Sequence, residues 1–497
     1  MDITQILSLS ILIVFAISMA FIFSYSLIQL NLVINYIRSK KKSSLNTPEL
    51  TEYPIVTIQL PVYNELYVIE RLIDKVCEFD YPKDKLEIQL LDDSTDETVA
   101  IIRKKVDHYK ELGFDIHHIQ REDRVGYKAG ALKYGTAFCK GEYIAIFDSD
   151  FVPEKDFLLK TIPHFKDSKI GVVQSKWGFT NSEYSYLTCL QAFGLNAHFS
   201  VEQVGRGFND HFINFNGTAG IWRKECIADA GGWESDTLTE DLDLSYRAQL
   251  NGWKFLYLED VVSPSELPVE INALKAQQFR WTKGAAECTS KNLKRVLKSK
   301  TTPLTTKIHA IFHLMNSSIF IFIFFMSIIS LPLIFIKSEF TEYNYLLKLS
   351  GFFMSSWLIL AFFYWTAFKQ NSKKGNPITF FNRFLGFLAV SMGLSLHNSL
   401  AVIEGFIGKK SPFIRTPKFN INDASDDWNT NKYLVKKVTP LTYIEGGLLI
   451  YFIYTFTVAI EFNDFGIMPL LLFLIFGYGF VFFNSVFHVK KATKQKN

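Results

Sequence analysis

Cysteine is scarce in this 497-residue chain: Cys77, Cys139, Cys189, Cys226 and Cys288 are all there are, an odd number with no metal-ligand spacing. That pattern excludes a disulfide scaffold and a cysteine-built zinc site, and it reads as reduced cytosolic thiols. Charge is thin as well, at 21% Asp, Glu, Lys and Arg, with 53 basic against 49 acidic residues and a formal net charge of +4. Disordered chains need low hydrophobicity and nucleic-acid-wrapping chains need dense charge. Neither condition is met, so nucleic acid is not an expected partner. What abounds is apolar surface: 48% hydrophobic residues, including 47 Phe. The implied partner is the lipid bilayer.

Residues 6–36 are almost wholly apolar and are followed at once by Arg38, Lys40, Lys41 and Lys42. About 20 apolar residues cross the hydrocarbon core, so this segment is expected to span. The basic cluster follows the run, the reverse of a cleavable signal peptide. The reading is an uncleaved anchor over 1–37, with the N-terminus outside and the chain cytosolic from residue 38. Further apolar runs cover 308–336, 349–368, 378–407, 441–460 and 467–487. If all five crossed, the Lys-rich segment 409–437 would lie outside, against the positive-inside tendency. The 378–407 run alone holds Arg383, His397, Asn398 and Glu404, and a polar stripe beside a broad apolar face suits a helix lying in the interface. Five crossings, with 378–407 interfacial, then put Lys373, Lys374, the 409–437 segment and the tail 490–496 in the cytosol. Six crossings remain the alternative, in breach of the charge rule.

Between the first and second spans, 38–306 reads as a cytosolic α/β domain with a mainly parallel sheet, because short apolar runs alternate with charged helical stretches. Strands are expected at 55–60, 87–91, 116–120 and 143–147, and helices at 65–78, 96–112 and 128–138. Ligands bind such sheets at the carboxyl ends of the strands. Three polar clusters fall there: Pro61-Val62-Tyr63-Asn64-Glu65, Asp92-Asp93-Ser94-Thr95-Asp96 and Asp148-Ser149-Asp150. The second cluster is equally a helix cap. In the third, two carboxylates one residue apart at the end of a buried strand repel each other unless a cation lies between them. Hard divalent ions take such oxygens together with substrate phosphates.

Further on, Thr239-Glu240-Asp241 precedes a helical stretch at 244–250, and capping competes there with catalysis. Gln277-Gln278-Phe279-Arg280-Trp281 places an amide, a guanidinium and an indole on one helical face by the i, i+3/i+4 rule. A snorkelling Arg and an interfacial Trp explain that segment equally well when it is taken alone.

Taken in order, these segments resemble an inverting family 2 glycosyltransferase with the GT-A fold, of the membrane-embedded processive branch that includes cellulose, hyaluronan and chitin synthases. The resemblance rests on Asp92/Asp93, the DxD at Asp148 to Asp150, the TED at Thr239 to Asp241 and the QxxRW at Gln277 to Trp281. Phe215 to Arg223 (FNGTAGIWR), Gly231-Gly232-Trp233 and Ser265-Glu266-Leu267-Pro268 read much like the plant cellulose synthase-like A and C proteins, the mannan and xyloglucan-backbone synthases. Phe413 to Lys418 is similar to the FxVTxK gating loop of cellulose synthases, with Arg415 where that family has Val. No PilZ-type C-terminal domain is recognisable, and a single span before the catalytic domain is similar to the mannan synthase-like layout.

The resemblance implies a hexosyltransferase that uses a nucleotide-sugar donor, UDP-glucose or GDP-mannose, and Mg2+ or Mn2+. It implies a growing glycan as acceptor and a multi-pass place in the plasma or inner membrane, with catalytic domain and C-terminus cytosolic. The product implied is a mannan, glucomannan or glucan exported through the helices of 307–497. The alternative is a single addition to a membrane lipid of the ceramide or polyprenyl-phosphate type. Residue by residue, the resemblance implies donor binding by Tyr63, Glu65, Asp92, Asp93, Lys128, Asp148 and Arg280, and metal binding by Asp148 and Asp150. Asp241 is the implied general base. Glu240, Gln277 and Trp281 are implied at the acceptor, and Phe413, Thr416 and Lys418 in the gating loop.

Overall fold

The computed structural model describes residues 3–42, 48–340, 351, 353–372, 375–421, 426–428, 431–435 and 437–494. Lys373, Lys374, Lys436 and Lys496, residues 349, 350 and 352 of the third apolar run, and residues 422–425, 429 and 430 of the gating-like segment lie outside the described residues.

Seven strands make one sheet: β1 (Val56–Val62), β2 (Leu86–Asp92), β3 (Asp115–Gln120), β4 (Tyr143–Ile146), β5 (Ile170–Phe179), β6 (Gly220–Arg223) and β7 (Lys254–Ser265). Their spatial order is β3-β2-β1-β4-β6-β5-β7. All neighbours pair in parallel except β6, which runs antiparallel to β4 and β5. The helices around the sheet are α2 (Ile69–Cys77), α3 (Thr98–Glu111), α4 (Tyr127–Phe138), α5 (Phe157–Thr161), α6 (Tyr186–Ala197), α7 (Gln203–Gly207), α8 (Lys224–Asp229), α9 (Glu240–Leu250) and α10 (Ile271–Lys298), after the anchor helix α1 (Ile3–Lys41). A π-helical turn, His198–Glu202, joins α6 to α7.

The central strands are buried because both faces are covered, and the polar residues they carry pair with each other, Thr57 with Glu87 at 2.5 Å and Gln59 with Gln89 at 3.1 Å. On one face Ile58, Leu60 and Ile88 pack with Leu72 and Ile73 of α2 and Ile102 and Val106 of α3. On the other, Leu91, Ile144, Ile146 and Trp222 pack with Leu132 of α4 and Leu244 and Ala248 of α9. Burial of each such side chain contributes roughly 1.5–3 kcal/mol, so the layers fix where the strand ends open. α2 begins at Ile69 rather than at 65. Asn64, at φ 55, bends the chain after β1 and leaves Glu65 in a loop whose carbonyl accepts from the N–H groups of Val68 and Ile69.

Beyond the sheet domain lie α11 (Leu304–Leu314), α12 (Ile319–Ile328), α13 (Ser330–Glu339), α14 (Ser355–Asn371), α15 (Pro377–Gly393), α16 (Ser395–Phe406), α17 (Pro440–Glu461) and α18 (Met468–Lys494). By length and composition α1, α17 and α18 can each cross a membrane. Two bent pairs pass the same test only together, α11 with Asn316–Ile328 at 51° and α15 with α16 at 54°, giving three candidate crossings, or up to five, among the described residues. The 378–407 run is therefore two helices that meet at Leu394. Close backbone contact accompanies the bend: a Cβ on Gly393 would lie 2.2 Å from the Gly477 carbonyl oxygen, and one on Gly477 1.9 Å from that of Ala389.

α10 joins the two regions. Glu270 caps its start by accepting from Ala273 N–H at 2.8 Å. One turn in, Lys275 Nζ donates to Glu445 Oε2 of α17 at 2.6 Å and to Ser485 Oγ of α18 at 2.9 Å. The same rod then carries Gln277, Arg280 and Trp281 to the carboxyl edge of the sheet.

Candidate active site

A cavity of about 200 Å³ opens over the carboxyl ends of β1 and β4. Tyr63, Glu65, Asp93, Lys128, Asp148, Asp150, Glu240, Asp241, Gln277, Arg280, Trp281, Phe413, Thr416 and Lys418 all line it. These residues come from seven separate stretches of chain, and the fold brings them together. Asp92 is the exception. It lies behind the wall, 2% exposed, where Oδ1 accepts from Ser94 N–H at 2.9 Å and Oδ2 lies 2.8 Å from His118 Nε2. Asp93 receives two donors from Arg121, at 3.0 and 2.5 Å. Capping falls instead to Asp96, whose Oδ1 accepts from Thr98 N–H at 3.0 Å.

Charge is crowded. Seven carboxylates line the cavity: Glu65, Asp93, Asp148, Asp150, Glu240, Asp241 and Glu266. They face five cations: Arg124, Lys128, Arg280, Arg415 and Lys418. Lys128 Nζ donates to Asp148 Oδ1 at 2.5 Å and to the Gly217 carbonyl at 2.9 Å. Burial pulls that ammonium down, but Asp148 and Glu240 outweigh it and hold Lys128 above its ordinary value. Arg280 Nη2 donates to Thr416 Oγ1 at 2.8 Å, and burial lowers the guanidinium to about 10. Burial pushes Glu65 and Glu266 up to about 7 each.

Asp241 sits in the first turn of α9, with Oδ1 accepting from Leu242 N–H at 2.8 Å. Burial first, then its neighbour Glu240, push its carboxyl up to about 7. Gly217 gives it room. At φ 79 that residue is in the left-handed region, and an added Cβ would lie 3.1 Å from Asp241 Oδ2.

The segment expected to act as a gate crosses the cavity mouth. Phe413 stacks on Tyr127 with ring centroids 5.6 Å apart, and the Arg280 guanidinium lies 4.9 Å from the Phe413 centroid. Arg415 reaches the carbonyls of Tyr63 and Asn64 and pairs with Glu65 at 3.3 Å. Lys418 Nζ donates to Asp150 Oδ2 at 2.8 Å. Glu266 accepts from the N–H groups of Phe419 and Asn420 at 2.9 and 2.8 Å, which fixes the segment's far end.

The donor set fits a hard divalent cation. Asp148 presents a carboxylate 37% exposed to the cavity, while Asp150, 3% exposed, already holds the Lys418 ammonium. Asp148, with Asp150 beside it, would hold such an ion together with substrate oxygens, in keeping with the one-or-two-carboxylate habit of Mg2+. Two other acidic groups, Glu87/Asp115/His117 and Glu234/Asp236/Asp243, have ligand atoms within 4.8 Å of one another. Both already hold a lysine, Lys140 on Asp115 and Lys291 on all three of the second group.

Sequence reasoning gave no role to Glu266, Arg124, Asn216 or Gly217, all of which line the cavity. Asn216, Gly217 and Glu266 lie in the stretches 215–223 and 265–268 that carry the resemblance, and their place gives the signal: just before β6 and just after β7.

The family model "Glycosyltransferase like family 2" matches residues 54–284, the stretch that builds the sheet and brings Asp148, Asp241 and Arg280 to its edge. Just under half of the chain thus matches a glycosyltransferase family 2 domain. Probable glucomannan 4-beta-mannosyltransferase 7 of Oryza sativa subsp. japonica is 44% identical over 268 residues, 52% of this chain and 46% of that protein. Glucomannan 4-beta-mannosyltransferase 2 of Arabidopsis thaliana is 43% identical over 267 residues, 53% of this chain and 50% of that one. The chain thus spans about half the length of the curated relatives it matches. Among solved structures, the mannosyltransferase PcManGT from Pyrobaculum calidifontis, in complex with GDP-Man and Mn2+, superposes with a TM-score of 0.53 at 19% identity. It covers 80% of this chain and 100% of that chain. With the mostly parallel mixed sheet, this likeness makes the fold GT-A-like.

Proposed function

We propose that this protein is an inverting, nucleotide-sugar-dependent mannosyltransferase that elongates a β-linked mannan or glucomannan and passes the chain through its own membrane helices. The observation that carries this reading is convergence: Asp148, Asp241, Arg280 and Trp281 line one cavity. The names of the relatives point to mannose. In the proposed reaction, Asp241 takes the proton of an acceptor hydroxyl as its oxygen bonds to the donor's anomeric carbon. The bond from that carbon to the diphosphate oxygen breaks on the opposite face, and the nucleoside diphosphate leaves with the electron pair. Lys128 and Arg280 hold the diphosphate, Arg280 by bidentate donation, while Tyr63, Glu65 and Asp93 hold the nucleoside side. Asp148, with Asp150, would hold Mg2+ or Mn2+, which supplies positive charge to the departing diphosphate. Trp281 offers the acceptor sugar an apolar face, and Gln277 and Glu240 offer it hydrogen bonds. Phe413, Thr416 and Lys418 close over the donor.

In this reading 38–306 is cytosolic, the N-terminus is outside, the C-terminus is cytosolic, and α15 with α16 lies at the interface in the plasma or inner membrane. Support for export comes from the bends. Asn398 and Ser399 of α16, and Ser317 and Ser318 between α11 and α12, are buried with side-chain polar atoms that have no hydrogen-bond partner among the described residues. Such groups are costly among apolar helices, and the hydroxyls of a passing glycan would satisfy them.

The test is full-length protein in lipid nanodiscs, given labelled GDP-mannose, GDP-glucose and UDP-glucose with Mn2+ or Mg2+. Label in long chains degraded by an endo-β-mannanase supports the proposal. A single sugar on lipid, or polymer resistant to that enzyme, overturns it.

A further inference from the structure

Asn216 lines the cavity one residue before Gly217, and its amide is held in one orientation. The side-chain N–H groups of Asn214 and Gln203 converge on its Oδ1, at 2.8 and 3.2 Å, and His198 Nε2 lies 3.3 Å from the same oxygen. With the oxygen so occupied, Nδ2 is left as a buried donor that has no acceptor among the described residues. Leaving such a donor unmatched costs about 1–3 kcal/mol, so an outside acceptor in the cavity would be held there.

The surroundings say which acceptor. Gly217 abuts Asp241, so Asn216 stands beside the group that takes the proton. The other side of this wall is tied to the membrane part: His198 Nδ1 lies 2.8 Å from Glu202 Oε2, and Glu202 Oε1 accepts from Gln29 of α1 at 2.7 Å. A sugar contacted here lies between the proton acceptor and the helices rather than over β1 and β2, where the nucleoside side is proposed.

We infer that Asn216 is an acceptor-binding residue: its Nδ2 donates to a hydroxyl of the terminal hexose of the growing glycan and orients the attacking oxygen toward Asp241. The relay from Gln29 through Glu202 and His198 positions it. This rests on the transferase reading above.

The test uses full-length protein in nanodiscs with a β-1,4-linked hexose oligosaccharide as acceptor. Asn216→Ala raises the acceptor KM about five- to tenfold, the scale of one neutral hydrogen bond, and leaves the donor KM within twofold. Gln203→Met, which frees the amide to turn, raises the acceptor KM by a smaller factor. A panel of monodeoxy acceptors supplies the readout that a purely structural role would not move. One of them loses the same factor on the wild type and loses nothing further on Asn216→Ala. GDP affinity by calorimetry shows that the variants are folded. An unchanged acceptor KM, a rise in donor KM instead, or the same deoxy profile in both proteins overturns the assignment. Wild-type protein that transfers no hexose from any donor overturns the transferase reading, and this one with it.

Discussion

Asp241→Asn tests the proposed proton transfer most directly. The substitution keeps the shape, so Leu242 N–H keeps an oxygen to donate to and the start of α9 is undisturbed. What is lost is the base. General bases contribute ~10²–10⁴-fold, so kcat falls by that factor, about 3–5 kcal/mol in barrier height. Donor affinity, measured by GDP-mannose binding, changes less than threefold, since the proposed diphosphate contacts come from Lys128 and Arg280. The wild-type pH profile carries the same information. With the Asp241 carboxyl at about 7, about a tenth is ionised at pH 6 and about nine-tenths at pH 8, so kcat rises roughly tenfold across that interval. Stability moves the other way. A carboxyl whose folded-state value is raised binds its proton more tightly folded than unfolded, so its contribution to stability declines as pH climbs from the ordinary Asp range toward 7. Asp241→Asn, free of that charge, therefore melts higher than wild type at pH 8 and no higher at pH 4. The assay is labelled-hexose incorporation and a melting curve at each pH from 4 to 9. A flat profile between pH 6 and 8, or a variant that keeps a tenth of the wild-type kcat, refutes the reasoning.

Gly217→Ala forces a side chain into the left-handed region and against the Asp241 carboxylate. Turnover drops at least tenfold and the melting temperature falls, and near-normal turnover contradicts the packing. Lys275→Met leaves Glu445 buried without its cation, a loss of about 3–5 kcal/mol read as a lower melting temperature in detergent. Adding Glu445→Leu recovers most of it, whereas no recovery means the pair is not what holds α10 to α17. Lys418→Met removes the ammonium that competes for Asp150, so Mn2+ titrated against the donor-free protein binds about tenfold more tightly, the scale of one charge-assisted contact. Weaker binding shows that Asp150 does not take part.

The first half of the sheet was legible because β1, β2 and β4 are buried almost throughout and rich in apolar residues, while β3 lies at the edge with Ile116 buried and Ile119 half-buried. β5, β6 and β7 were not. β5 carries Gln174, Ser175 and Lys176 at its centre, β6 is four residues long, and β7 is interrupted by Glu259 and Asp260, where its pairing with β5 slips register. The motif residues showed themselves because carboxylates in pairs and a guanidinium beside an indole are chemically odd. Glu266, Arg124 and Asn216 are not odd until the fold is known. Arg415 was read as a departure from a pattern, and its pairing with Glu65 links positions 350 residues apart, which no local signal conveys. The bends at Met315 and Leu394 were missed for a similar reason: hydropathy records that a stretch is apolar and not where it turns, which at Leu394 is marked by the contact of Gly393 with Gly477.

α10 runs 28 residues without a break, about 42 Å at 1.5 Å per residue. It is bolted at Lys275 to two spans and at Thr289 to α11, with Arg280 and Trp281 between those bolts. Lipids of different thickness that tilt α17 or α18 must swing this beam, and with it one jaw of the cleft. On the proposed function, turnover in bilayers of graded acyl length would then follow the membrane's own dimensions through this helix.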